Sequence, residues 1–286
     1  MKKFIKILSL VTFLFILTGC KSDSMDDITI YTSVYPIEFV TDKLYGEYAD
    51  IYNMYPQGIN PYEYNFTDKQ ITNYADSDLI VYNGLDKEKD LIVKMLNKNR
   101  NLKIIDATNK ITYKNNLDEI WINPSNLLMI ANNIKDGLKE YVSSRYIIDT
   151  INNNYEELKL EISSLDAELK EIAANADYKD ILVSSNQFNF LEKYGLNVIS
   201  FDEETYTESI YNTALNLYNE DKISYIFLKK DEKENEMIKN LRKECSELKI
   251  LYIDTLNNIA TTDKNEGINY ITIMNDNIEK FKQELY

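Results

Sequence analysis

The longest regular pattern in the sequence is an amphipathic stripe over residues 146–173. Its apolar side chains recur at alternating spacings of three and four, which places them on one face of an α-helix, and charged and amide side chains fill the other positions. The segment contains no glycine or proline, and as a helix it would extend about 42 Å. This exceeds the length of most helices in compact domains, so the pattern predicts either a helix joining two bodies or one strand of a coiled coil.

Strand and helix patterns alternate on both sides of this stripe. Runs rich in β-branched and aromatic residues predict four strands before it, at 28–34, 51–54, 79–82 and 102–105. Four more follow it, at 181–183, 198–199, 225–228 and 250–253. Helices are predicted between and after them, at 36–45, 67–75, 87–96, 188–193, 207–218, 232–248 and 270–284.

This alternation indicates mostly parallel sheets with helices on both faces. We therefore predict an α/β protein with two lobes, each built on a mostly parallel four-stranded sheet and joined by one long bridging helix. A coiled coil has no reason to lie between two such lobes. In sheets of this kind ligands bind outside the carboxyl ends of the strands, which points to the cleft between the lobes.

The amino terminus has the pattern of a lipoprotein signal. Three lysines precede an apolar run over 7–17, which is too short to span a bilayer and leads into Leu17-Thr18-Gly19-Cys20. This tetrapeptide resembles the bacterial lipoprotein processing site, which implies cleavage before Cys20 and lipid on its sulfur; the alternative is an ordinary signal peptide with a cysteine nearby. The predicted segments are a signal peptide (1–19), a lipidated linker (20–27), an N-terminal lobe (28–140), a bridging helix (141–175) and a C-terminal lobe (176–286).

The composition argues against several kinds of function. The chain has no histidine, so neither an imidazole base nor a histidine metal ligand is available. It also lacks a G-x-S-x-G nucleophile turn and a glycine-rich phosphate loop, and we do not expect an enzyme. The only other cysteine is Cys245, on a predicted helix, so no structural disulfide can form once Cys20 is lipidated. The net charge of −15 argues against nucleic acid as a partner.

Several loops resemble those of one family. Residues 55–66 read YPQGINPYEYNF, which is similar to the P-x-G-x-x-P-H-x-Y-E-P stretch of the zinc and manganese substrate-binding lipoproteins of bacterial metal ABC transporters, an adhesin-like group. Residues 121–124 resemble the family's D-P-H-x-W-L-x-P, residues 79–84 its strand ending in Y-N-G, and residues 188–196 its F-x-Y-L-x-x-x-Y-G-L. All four prolines fall where the family pattern has them, together with Gly46, Gly58, Gly84 and Gly195.

The resemblance implies a metal site built from four loops, but this chain has different ligands. At the family's three histidine positions stand Tyr62, Glu119 and Ser185, or Ser184 if the alignment shifts by one residue, whereas the family's aspartate is retained as Asp254. All of these residues offer oxygen. Two carboxylates with neutral oxygens suit hard cations such as manganese, calcium or magnesium, and a phenolate would suit ferric iron.

Two observations oppose a cation at these positions. Lys229 and Lys230 stand at the carboxyl end of a predicted strand directed at the same cleft. In addition, Tyr62 is one of 23 tyrosines, and Glu119 and Asp254 could be solvated loop acids.

The resemblance implies an extracytoplasmic substrate-binding lipoprotein, monomeric and held by Cys20 on the cell membrane of a Gram-positive bacterium. It would capture a divalent metal ion, zinc or manganese in the family, between its lobes and deliver it to an ABC permease and its ATPase. Binding and release need no catalytic residue, and none is predicted. The alternatives are a surface adhesin or scaffold on the same fold whose metal site has been lost, and a binder of a non-metal solute.

Overall fold

The computed structural model describes residues 25–84, 86–111 and 119–286. Cys20 and the predicted signal peptide lie outside these ranges. Among the described residues, no helix combines the length and apolar composition needed to cross a membrane.

The N-terminal half contains a four-stranded parallel sheet. Its strands have the spatial order β2-β1-β3-β4, and the two central ones are the most deeply buried. The elements are β1 (Ile28–Thr32), α1 (Tyr35–Tyr45), β2 (Ala49–Asn53), α2 (Asp68–Ala75), β3 (Leu79–Tyr82), α3 (Asp86–Lys98) and β4 (Lys103–Asp106).

Two consecutive helices join this half to the second one. They are α4 (Pro124–Tyr141), which follows a 3-10 turn at Ile120–Ile122, and α5 (Arg145–Asn175). Helix α4 was not predicted from the sequence, although its buried side chains Leu127, Ile130, Ile134 and Leu138 have helical spacing. Its start is defined by Asn123, whose side chain accepts a hydrogen bond from the amide of Ser125, and by a proline in the first turn.

The second half repeats the architecture of the first. A parallel sheet of order β6-β5-β7-β8 is covered by helices on its two faces. Its elements are β5 (Asp180–Val183), a 3-10 segment (Asn186–Tyr194), β6 (Asn197–Ser200), α6 (Glu208–Asn219), β7 (Tyr225–Lys229), α7 (Glu236–Glu244), β8 (Lys249–Ile253), α8 (Thr261–Asn265) and α9 (Tyr270–Leu285). The predicted α/β fold with two four-stranded parallel sheets is therefore confirmed.

Helix α5 contributes to the core of both halves. Its buried face is the predicted stripe, with Ile151, Leu158, Leu165 and Leu169 each at most 1 % exposed. The helix packs against α1, α4 and α9, and one continuous apolar cluster includes residues of both sheets. Because each such side chain stabilises the fold by about 1.5–3 kcal/mol when buried, tertiary packing holds this helix in place.

Two predicted helices differ in the structure. The segment predicted as a helix over 232–248 is helical only in α7, because Asn235 caps its start by accepting from the amide of Ile238 and Asp231 has a φ of 66°. Cys245 therefore follows the helix instead of lying on it, and it is buried as a free thiol. The predicted helix at 188–193 is a 3-10 segment, which ends at Gly195 in the left-handed conformation.

Candidate functional site

A cavity of about 900 Å³ lies where loops from the two sheets meet. It is lined by residues 57–62 after β2, residues 229–232 at the end of β7, and residues that follow β8. These loops all leave the carboxyl ends of parallel strands, the edge at which open α/β sheets bind ligands. The volume lies in the range typical of sites for small molecules.

Three of the predicted site residues line this cavity. They are Tyr62, Glu119 and Asp254. Among the described residues, the lining includes neither Ser184 nor Ser185. The hydroxyl of Ser184 donates to Glu232, which does line the cavity, at 2.6 Å, whereas that of Ser185 lies 3.4 Å from Asp202 in the loop after β6.

Glu119 is buried and held by groups from the second half of the chain. It stands immediately before the 3-10 turn and is only 4 % exposed, so it is not a solvated loop acid. Its Oε1 accepts hydrogen bonds from Asn257 Nδ2 at 2.5 Å and from Thr255 Oγ1 at 3.3 Å. Its Oε2 lies 3.5 Å from Lys229 Nζ. These contacts offset the cost of removing a carboxylate from water.

Asp254 is the first residue after β8 and is positioned on several sides. Its Oδ2 lies 2.8 Å from Lys230 Nζ, and its Oδ1 accepts from the amide of Leu256 at 2.9 Å. The side-chain amide of Asn277 on α9 bonds to both the backbone amide and the carbonyl of Asp254. The hydrogen bond to Asp254 raises the pKa of the Lys230 ammonium, which therefore keeps its charge at neutral pH.

Tyr62 belongs to a loop whose shape depends on particular turn residues. Gly58 has a φ of 73°, a conformation that favours glycine, and the backbone amide of Tyr62 donates to Asn60 Oδ1 at 3.0 Å. The carbonyl of Pro56 accepts from Asn258 Nδ2 at 3.2 Å. The loop is thereby tied to the chain segment that follows β8.

The predicted ligand side chains that line the cavity would bind a cation through oxygen atoms, and both acidic and basic side chains surround them. Six acidic residues and three lysines line the cavity, and within the described ranges no group of three or more acidic or cysteine side chains is arranged to hold a metal ion. Asn257 was not predicted as a site residue. Its Nδ2 donates to Glu119, and its buried Oδ1 has no hydrogen-bond partner among the described residues. In the sequence, only its position three residues after Asp254 indicated that it could lie at the site.

Comparison with known proteins identifies the family. The family model described as zinc-uptake complex component A, periplasmic (ZnuA), matches residues 30–284. The chain belongs to the ZnuA family. The resemblance identified from the loops is therefore confirmed.

Two curated relatives cover almost all of this chain. This chain is 23 % identical over 312 residues to the zinc-binding lipoprotein AdcA of Streptococcus pneumoniae. The alignment covers 99 % of this chain but only 61 % of AdcA. The chain is 26 % identical over 319 residues to the manganese ABC transporter substrate-binding lipoprotein PsaA of the same species, covering 100 % of this chain and 99 % of PsaA. The chain thus spans about three fifths of AdcA and nearly all of PsaA.

Solved structures of this family share the fold. The metal-dependent lipoprotein YcdH from Bacillus subtilis superposes with a TM-score of 0.75 at 19 % identity, over 91 % of this chain and 99 % of YcdH. Zn(II)-bound AdcA from Streptococcus pneumoniae gives a TM-score of 0.72 at 23 % identity, over 91 % of this chain and 58 % of AdcA. At these identities the likeness concerns the fold alone.

Proposed function

We propose that this protein is the extracytoplasmic substrate-binding lipoprotein of a metal-type ABC importer and that it carries a divalent cation in the cavity between its two sheets. The observation that carries the proposal is the meeting of Glu119 and Asp254, from opposite halves of the chain, at one cavity together with Tyr62. The family is described as an uptake component, and the names of AdcA and PsaA refer to zinc and manganese.

The roles of the residues follow from their chemistry. The carboxylates of Glu119 and Asp254 would supply the negative charge that a cation requires, while Tyr62 and the Oδ1 of Asn257 would supply further oxygen atoms. Ser184 or Ser185 could complete the set only if the loop after β5 rearranged, because their hydroxyls face Glu232 and Asp202. Binding and release require no chemical step, so no residue has a catalytic role.

The location and partners belong to the same proposal. Lipid on Cys20 would hold the monomeric protein on the outer face of the membrane of a Gram-positive cell, where it would pass its cargo to a permease powered by an ATPase. The names of AdcA and PsaA describe lipoproteins, and that of PsaA refers to an ABC transporter.

A second candidate is a surface adhesin or scaffold on the same fold whose metal site has been lost. One observation favours it: both predicted ligand carboxylates lie next to lysine ammonium groups. A non-metal solute would also find polar partners in the cavity.

Metal analysis tests the proposal. The full-length protein, purified without chelators, should contain a divalent metal, and calorimetry should show binding to one site. The isosteric pair Glu119→Gln with Asp254→Asn should abolish that binding, because it removes both charges while preserving side-chain shape.

The matched control is Asp263→Asn with Asp276→Asn, which removes two other cavity-lining acids and should retain the metal. Metal bound equally by both double variants would place the cation elsewhere on the acidic surface. An unmutated protein that binds no metal would favour the second candidate.

A further inference from the structure

Two consecutive lysines contact the two predicted ligand carboxylates. Lys229, the last residue of β7, places its Nζ 3.5 Å from Glu119 Oε2, and Lys230 places its Nζ 2.8 Å from Asp254 Oδ2. Each ammonium group therefore lies beside an oxygen that a cation would need. The sequence placed both lysines at the cleft, but it could not show the contact between Lys229 and Glu119, since these residues come from different halves of the chain.

The backbone fixes both lysines at the cavity. The amide of Lys229 donates to Glu232 Oε2 at 2.8 Å, and that same oxygen accepts from the hydroxyl of Ser184 at 2.6 Å. The amide of Lys230 donates to the carbonyl of Ile253 at 2.7 Å, which extends the pairing of β7 with β8 past the end of β7. The two lysines are thus held at the sheet edge beside their carboxylates.

The Glu119–Lys229 ion pair is more buried than the Lys230–Asp254 pair, so solvent and salt weaken its electrostatic attraction less. The side chain of Glu119 is 5 % exposed and that of Lys229 is 29 % exposed, whereas in the second pair Asp254 is 20 % and Lys230 is 58 % exposed. Solvent and salt weaken an exposed ion pair much more than a buried one. Lys229 therefore opposes a cation at Glu119 more strongly than Lys230 does at Asp254.

We propose that Lys229 and Lys230 act as internal counter-ions that set the cation affinity of the cavity, so that an incoming metal ion binds by displacing both ammonium groups from their carboxylates. This inference rests on the proposed function. It assigns the two lysines a role in setting affinity: their positive charges weaken the binding of any cation at Glu119 and Asp254. The Glu119–Lys229 contact also joins the two halves of the chain without a metal ion.

Replacement of the lysines by methionine tests this role, because methionine has a similar length and no charge. Manganese affinity of the full-length protein is measured by calorimetry for Lys230→Met and for the pair Lys229→Met with Lys230→Met. A neighbouring charge commonly changes the affinity of a group for a cation by about tenfold or more, so the double variant should bind Mn²⁺ at least about tenfold more tightly.

Lys280→Met is the matched control. Lys280 also lines the cavity, but its Nζ donates to the carbonyl of Tyr252 at 2.7 Å and, within the described part of the chain, to no carboxylate. Its replacement removes the same charge from the cavity and should change the affinity by less than about threefold. Circular dichroism and thermal unfolding establish that each variant is folded. If the double variant does not fold, the test rests on Lys230→Met, which should bind Mn²⁺ more tightly than Lys280→Met, though by less than the double variant would, since Lys230 is more exposed than Lys229. Equal affinities of Lys230→Met and Lys280→Met would then overturn the inference.

The outcomes separate this inference from the proposed function. If the unmutated protein binds Mn²⁺ and the lysine variants bind no more tightly than Lys280→Met, the lysines are merely structural and the inference fails while the function stands. If only the lysine variants bind Mn²⁺, the inference holds, but the proposal that the natural chain carries a divalent cation fails. If none of them binds metal, both are overturned.

Discussion

The indole Nε1 of Trp121 donates a hydrogen bond of 2.7 Å to the backbone carbonyl of Thr255, which joins the two halves of the chain directly behind the candidate site. The hydroxyl of Tyr270 in turn donates to the carbonyl of Trp121 at 2.7 Å, and neither ring is exposed to solvent. Thr255 follows Asp254 and bonds to Glu119 through its own hydroxyl. These buried bonds therefore set the relative positions of the two predicted ligand carboxylates.

Removal of one hydroxyl from this network should destabilise the protein. Tyr270→Phe leaves the buried carbonyl of Trp121 without that donor, which should lower the free energy of unfolding by about 1–3 kcal/mol. Urea unfolding followed by circular dichroism measures the effect. Tyr146→Phe is the control, because Tyr146 is 74 % exposed and the same change should cost less than about 0.5 kcal/mol there. Equal unfolding midpoints for the two variants would show that the network contributes little.

Helix α5 offers a second test of the packing. Leu165 is 1 % exposed, and Leu165→Asp would bury a charge among apolar side chains, at a cost of more than about 4 kcal/mol. Ala167→Asp introduces the same side chain at an exposed position two residues further on and should cost less than about 1 kcal/mol, mainly through helix propensity. Thermal unfolding compares the two. Similar melting temperatures would contradict the burial of this face.

The titration of the buried Glu88 carboxyl should make the stability of the protein depend on pH. This carboxyl is 7 % exposed, accepts hydrogen bonds from the amide of Asn83 and the hydroxyl of Tyr55, and has its pKa raised by burial to about 8. Between the ordinary value of 4.5 and about 8 the folded state retains a proton that the unfolded chain has lost. The contribution of Glu88 to the free energy of unfolding is therefore fully present below pH 4.5. It decreases as the pH rises to about 8, by up to ~1.4 kcal/mol per pH unit.

Comparison of two glutamine variants isolates this group. Burial also raises the pKa of Glu284, to about 7. Glu284 therefore also lowers the stability as the pH rises, but its effect ends near pH 7, below that of Glu88. Glu88→Gln should remove the decline between pH 7 and 8, whereas Glu284→Gln should leave that part unchanged. Urea titrations at half-unit intervals of pH measure both. A decline from pH 7 to 8 that persists in Glu88→Gln would assign it to another residue.

The fold could be predicted because strand and helix patterns report local burial. The strand over 79–82 was predicted with its observed ends, since β3 is a central strand, all of its side chains are buried and an uninterrupted apolar run marks it. Helix α4 was not predicted although its apolar spacing was present. Its interior contains Asn132, Asn133 and Gly137, which have low helix propensity, so tertiary packing of its apolar face outweighs local preference there.

The candidate site was less predictable, because it depends on contacts between distant residues. The alignment of Pro56, Gly58 and Asp254 with a known pattern located the loops, but it could not show that Asn257 and Lys229 approach Glu119 from the other half of the chain. The choice between Ser184 and Ser185 depends on a one-residue register. Their hydroxyls face different partners, Glu232 and Asp202, and only Glu232 lines the cavity.

Membrane attachment tests the predicted lipid anchor. Cys20→Ala should abolish lipid labelling and detergent-phase partitioning while leaving the melting temperature of the folded part unchanged, because the described core begins only at Met25, which is fully buried. Ser22→Ala, in the same predicted linker, is the control and should remain membrane-bound. Continued partitioning of Cys20→Ala into detergent would show that membrane attachment does not depend on lipid at Cys20.

Metal selectivity follows from the atoms that the site offers. Zinc gains most from nitrogen and sulfur ligands, and the predicted ligands that line the cavity, Tyr62, Glu119 and Asp254, offer neither. In competition calorimetry, the unmutated protein should therefore prefer zinc over manganese by no more than about tenfold. Tyr62→Phe should leave this ratio nearly unchanged and should matter strongly only for ferric iron, for which the phenolate is a ligand.

Tyr62→His complements Tyr62→Phe, because it adds a nitrogen ligand where the phenylalanine variant only removes an oxygen. It places a single imidazole nitrogen in the loop after β2 and should shift the ratio toward zinc by at least about tenfold, because zinc gains more than manganese from such a ligand. A ratio that does not change would mean that the side chain at position 62 does not contact the cation, and that the ligands are supplied by Glu119, Asp254 and the residues after β8. A strong preference of the unmutated protein for zinc would contradict the oxygen-only site itself.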